Sequence, residues 1–173
     1  AVGSHPAAVR LQYRETVTRC LGDRNQAALG LGAVAADLYL AVQARDGQQV
    51  RNLLQDAGMI EKTLGLAEVM ARERQQIIVA AEQQDWPLLT IRIRELVDAS
   101  RVQFAAQKDE SLADLAYIGQ WLRALQICHT VTVSKRLNPS LAGGSHALIG
   151  ELRRRLQSRS DSEAEASRTL RVL

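Results

Sequence analysis

The residues of this chain that could carry chemistry are few and scattered. Histidine occurs three times, at His5, His129 and His146, each in its own segment, and no HxxxH or HExxH spacing is present. A two-imidazole zinc face on one helix is therefore excluded. Cys20 and Cys128 are far apart and show no CxxC spacing. This argues against structural zinc and reads as two buried small hydrophobes, with a disulfide also allowed. His129 adjoins Cys128, but consecutive residues of a helix point in different directions and do not make a nucleophile–base pair. The glycines of AGGSH, residues 142–146, lack the lysine and the preceding strand of a phosphate loop. Nor is that stretch a GxSxG elbow; Ser145 suits a helix N-cap instead. No acid–base or nucleophile constellation can be assembled, so a chain without enzymatic activity and without a cofactor is expected.

One carboxylate stands apart from this pattern. Asp37 lies inside LGLGAVAADLYLAV, residues 29–42, among small and aliphatic side chains. On a helix, Gly30, Ala33, Asp37, Ala41 and Ala44 recur at three- and four-residue spacing, beside a second stripe of Leu31, Val34, Leu38 and Val42. The small stripe lets a neighbouring helix approach closely. A carboxylate on it is partly buried and needs donors, from Arg, Lys, Tyr or Trp of another helix. The leading expectation is an inter-helix hydrogen bond or ion pair that sets register, with a ligand contact as the alternative. Trp121, in YIGQWLRAL at residues 117–125, is the first donor to consider for Asp37, and a plug in the core is its plainest role. Gly119 beside it costs about 1 kcal/mol relative to Ala inside a helix, which points to close backbone packing or a pocket floor. Asp37, Tyr39, Tyr117, Gln120 and Trp121 together form the candidate buried polar or ligand site.

For these residues to meet, helices must bring them together. Of 173 residues, 46% are hydrophobic but only 3% aromatic, so the core must be built from Leu, Ile, Val and Ala. Period-two alternation is rare and helical periodicity is common, which predicts an all-α antiparallel bundle of about six or seven helices. The expected spans are residues 7–20, 26–44, 48–64, 67–84, 87–106, 111–133 and 145–159. Their ends are marked by Asp23 or Asn25 as a cap, a turn at Asp46-Gly47, Gly65 as a C-terminal cap, Asp85-Trp86-Pro87 and Lys108-Asp109. In the fourth span Val69, Met70, Ile77, Ala80 and Ala81 face inward, and in the sixth Leu115, Ile118, Leu122, Leu125 and His129 share a face. Residues 1–137 read as the bundle core and 138–159 as a loop and helix of the same domain. Residues 160–173 read as a polar tail whose composition suits disorder. The hairpins hint at a helical repeat, but no fixed period is found.

Residues 27–44 reach the minimum length of a membrane span, yet a carboxylate at the bilayer centre costs a few kcal/mol. With no companion span, a buried central helix is expected instead. The net charge is +3 and the isoelectric point about 9.2. The basic residues alternate with acids along the helices, and only Arg153, Arg154 and Arg155 form a run, without aromatic neighbours. A nucleic-acid partner is therefore not expected. The opening AVGSHPAAV carries no recognisable signal peptide; it reads as a mature start or as one bearing a cloning remnant at Gly3-Ser4-His5.

Two regions together resemble a known group. The first is ALGLGAVAADLYLAV continuing through RNLLQDAGMIEKTLGL, and the second is SLADLAYIGQWLRALQICHTV. Their order and small-residue pattern resemble an uncharacterised family of bacterial helical envelope proteins, many of them lipoprotein-like. The matching positions are Gly30, Ala36, Asp37, Leu38, Leu64, Gly65, Gly119, Trp121 and Leu122. Gln120 stands where the family has a second glycine, Arg123 where an acid is usual, and Tyr39 falls one position early; no lipobox cysteine precedes the domain. The resemblance implies an exported, periplasmic or envelope-associated helical protein without enzymatic activity, structural or binding a protein partner or small ligand. It names no ligand. The alternative is a cytoplasmic signalling or regulatory domain that grips a protein partner.

Overall fold

The computed structural model describes residues 22–134 together with Gly150, Glu151, Arg153, Arg154 and Gln157. The helix expected at residues 7–20, the loop at 138–144, most of the helix at 145–159 and the polar tail lie outside the described residues, as do Cys20, His5 and His146. The chain is all-α: among the described residues there are helices and turns and no strand. Five helices are defined there, α1 (Arg24–Gln43), α2 (Gly47–Leu64), α3 (Ala71–Glu82), α4 (Trp86–Ala106) and α5 (Glu110–Ser134).

The helices are separated by abrupt, hydrogen-bonded ends. α1, α3 and α4 finish in the same way: one residue in the left-handed region, Arg45, Gln84 or Lys108, with φ of 55°, 56° and 56°, is followed by an aspartate. The aspartate N–H then reaches back five residues, Asp46 to the Ala41 carbonyl at 2.9 Å, Asp85 to Ala80 at 3.1 Å and Asp109 to Phe104 at 2.9 Å. In two of these turns the same aspartate caps the next helix. The Asp46 carboxylate accepts from the Gln49 N–H at 2.9 Å and that of Asp85 from the Leu88 N–H at 3.0 Å. Asp23 caps α1 through the Asn25 N–H, at 3.1 Å. α2 ends on Gly65, with φ of 75°, as expected for a glycine cap.

Several expected boundaries move by one to four residues. The fourth helix starts at Ala71, not 67, because the chain leaves Gly65 through Leu66, fully buried, and a run of turns. Val69 lies in those turns and is exposed, while Met70 is buried as expected. α4 opens on Trp86, which puts Pro87 in the first turn behind the Asp85 cap.

α1 packs on α2, α2 on α3, α3 on α4, and α4 back on α1, so these four close a ring around one core. Leu38, Val50, Ile60, Ile77, Leu89, Ile93 and Phe104 fill it. α5 covers α1 from another side. The unbroken run from Gly30 to Leu38 is buried as a result, which explains why α1 is apolar nearly all round. α1 is long and apolar enough to cross a membrane, but 72% of its apolar window is buried inside the fold. By contact the chain divides into a unit up to Val131 and another from Thr132 onward. In the second, the described residues are helical, and Arg154 pairs with Glu151 at 2.6 Å.

Candidate functional site

The contact that seats α5 on α1 depends on two glycines. A Cβ added at Gly119 would overlap the Leu29 carbonyl and lie 2.9 Å from the Leu29 Cα; one added at Gly32 would overlap the Ala116 carbonyl and lie 2.6 Å from the Gln120 nitrogen. Backbone therefore meets backbone, as expected of Gly119. On α1 the close approach falls on Gly32 rather than on the stripe of Gly30, Ala33, Asp37, Ala41 and Ala44. Ala44 is exposed beyond the helix end, while the other members of that stripe are buried.

One turn and a half beyond Gly32 stands Asp37, 95% buried. Its partner is Arg123 of α5, whose Nε donates to the Asp37 Oδ1 at 2.8 Å. The Arg123 Nη1 donates to the Gln126 side chain, also at 2.8 Å, and its Nη2 is buried without a hydrogen-bond partner among the described residues. Of the donors expected for Asp37, the arginine fills the place, and Trp121, two residues earlier, serves another surface. Hydropathy alone turns Leu122 inward and Arg123 outward, and the structure reverses both. Leu122 is 53% exposed and Arg123 only 6%, because the buried face of α5 runs through Leu112, Leu115, Gly119 and Arg123. His129 and Cys128 are exposed for the same reason; Cys128 is thus not the buried hydrophobe its type suggests.

A second buried carboxylate, Glu61 of α2, had no signal in the sequence beyond its position on the apolar side of the helix. It is 1% exposed and forms an ion pair with Arg74 of α3. The Arg74 Nη2 also donates to the Ala67 carbonyl at 3.0 Å, tying the turns after Gly65 to α3. Burial pushes the Arg74 pKa down.

Three of the five candidate residues meet in a cleft between α1, α4 and α5. Tyr117 and Trp121, one turn apart, meet edge to face with ring centroids 6.0 Å apart and planes at 68°. With Gln120 they wall a cavity of about 200 Å³, opposite Gly32 and Ala35 of α1 and Val97, Ser100 and Arg101 of α4. Trp121 is half-buried, a wall of this cleft rather than a core plug. Ser100 is buried and its hydroxyl donates to the Val97 carbonyl at 2.7 Å. Arg101 is the charged residue at the mouth. The cleft lies beside this close approach, where Gly32 and Ala35 of α1 face Tyr117, Gln120 and Trp121 of α5.

The other two candidates sit elsewhere. Asp37 belongs to the ion pair described above. Tyr39 lies half-buried against α4, where burial and then the charge of Asp98 push its pKa up while Arg94, which hydrogen-bonds it, pulls it down. A second groove, between α3 and α4, is lined by Arg72, Gln75, Gln76 and Arg92 around Val79 and Leu88. It is open and its polar groups are side-chain tips. Among the described residues no three His, Cys, Asp or Glu side chains gather in a way that could hold a metal ion. No family model matches the chain, and no curated protein or solved structure matches it either.

Proposed function

We propose that this chain is a non-catalytic helical binding module whose ligand enters the cleft walled by Trp121, Tyr117 and Gly32. The observation that carries this reading is the cleft itself: apolar walls on three helices, an aromatic pair, and a few polar groups at its edge, which is the usual make-up of a small-molecule site. What supports a binding rather than catalytic role is the state of the buried carboxylates. Asp37 and Glu61 are each engaged by an arginine and neither lines the cleft, so neither is poised as a general acid or base toward a molecule bound there.

The resemblance in sequence supports placing the module in the bacterial envelope, and helices at residues 7–20 and 145–159, as the sequence predicts, would bring the number of helices to seven. Binding is tested by titrating a panel of small apolar and aromatic fragments while recording amide and indole N–H resonances. Shifts gathered on Gly32, Ser100, Gln120 and Trp121 are expected; shifts gathered on another surface, or none, overturn the reading. Fractionation of cells expressing the full-length gene tests location, since recovery in the cytoplasm alone overturns an envelope role.

A further inference from the structure

The cleft also has a size and a polarity, and these specify a class of ligand. Resting on the reading that this cleft binds a small molecule, we infer that it takes a flat, one- or two-ring apolar molecule bearing a carboxylate, with the ring against Trp121 and Tyr117 and the carboxylate at Arg101.

Three observations carry this. The first is volume. An aliphatic cavity of about 150 Å³ accepts benzene, so about 200 Å³ with an open mouth suits one ring or a fused pair. The second is wall chemistry. Gly32 and Ala35 line the α1 side without bulk, and the two rings of Tyr117 and Trp121 stand at 68° to each other. A planar guest can therefore stack on one ring and meet the edge of the other. The third is charge. Among the residues that line the cleft Arg101 alone is charged, and it is exposed at the rim on α4. Its guanidinium offers a forked donor pair matched to a carboxylate, a match that an ammonium or a neutral amide on the guest does not provide. Ser100 has spent its proton on the Val97 carbonyl. Gln120 can either donate or accept, so it confers no charge preference.

The test uses indole-3-carboxylate, indole-3-carboxamide and tryptamine, which share a ring system and differ in charge. They are titrated into the ¹⁵N-labelled Trp86→Phe variant, whose remaining tryptophan is Trp121, with the ¹⁵N-edited indole N–H resonance of Trp121 as the readout. The carboxylate is expected to bind about fivefold more tightly than the carboxamide, the scale of a solvent-exposed ion pair, with tryptamine the weakest. Arg101→Gln is expected to abolish the carboxylate's preference over the carboxamide. Arg101→Lys is expected to keep part of the preference. Equal affinities for all three probes, or a preference that survives Arg101→Gln, overturn the assignment of a carboxylate while leaving the cleft as a binding site. If no probe moves the Trp121 signals at millimolar concentration, the cleft reading itself fails.

Discussion

The Asp37–Arg123 pair offers the sharpest test of how this fold is held. Both side chains are at least 93% buried, α1 and α5 contribute one each, and the Arg123 Nε–Asp37 Oδ1 distance is 2.8 Å. Asp37→Ala removes the carboxylate and leaves a guanidinium in the interior with one contact to Gln126 and with Nη2 already lacking a hydrogen-bond partner. Breaking a buried pair in this way costs about 3–5 kcal/mol, most of it the desolvation of the charge left behind. At about 2–4 °C per kcal/mol for a chain of this size, the melting temperature should fall by roughly 10 °C. The double variant Asp37→Leu/Arg123→Met removes both charges and refills the space. It is expected to return to within about 1 kcal/mol of the parent, since apolar replacement of a buried pair is often neutral. Urea denaturation followed by far-UV circular dichroism at pH 7 measures both, and the difference gives the coupling between the sites. If Asp37→Ala costs less than about 1 kcal/mol, the pair is not buried in solution. If the double variant is as unstable as the single one, the penalty does not arise from an orphaned charge, and the reasoning fails.

The glycines should divide into two kinds. Gly32→Ala and Gly119→Ala drive a methyl into facing backbone and should each cost about 3 kcal/mol or more, at the upper end of overpacking. Gly58→Ala meets its nearest neighbour, the Arg74 Nε, at an ordinary 3.7 Å, and should stabilise α2 by about 0.5–1 kcal/mol; chemical denaturation of the three variants decides this. For the second ion pair, Arg74→Met should destabilise more than Glu61→Met. The group it strands is the deeper one, with Glu61 at 1% side-chain exposure against 19% for Arg74. That excess should shrink in melts at pH 4, where the stranded carboxyl can take up a proton. Burial raises the Asp56 pKa above its ordinary 3.8. Folding therefore disfavours its ionised form, and stability falls as pH rises from the unfolded value through the folded one. Asp56→Asn should accordingly gain a small increment in melting temperature at pH 7 that vanishes below pH 3.8; a gain that persists in acid contradicts the assignment.

Much of the architecture is legible in the amino-acid sequence. Apolar residues at three- and four-residue spacing with aspartates at the junctions yield the helices, because side-chain caps and helical periodicity are local properties. Gly65 announces its own turn, since glycine adopts a positive φ at little cost. The equivalent turns at Arg45, Gln84 and Lys108 carry no such sign; there the aspartate that follows and the packing on either side hold an ordinary residue in the left-handed region. That Asp37 is buried and needs a donor from another helix also follows from the segment around it.

What the sequence by itself determined is thus the all-α class, the five helices of the described residues, the centrality of α1 and the demand for a partner to its one buried acid. Only the tertiary structure decided which partner. The rotation of α5 about its axis, set by Gly32 and Gly119 letting the two backbones touch, brings Arg123 to Asp37 and turns Leu122 to solvent. The same rotation places Tyr117, Gln120 and Trp121 along a cleft with Ser100 and Arg101. A helix's own periodicity says which residues share a face, but contact with another helix, distant in sequence, selects the face that is buried.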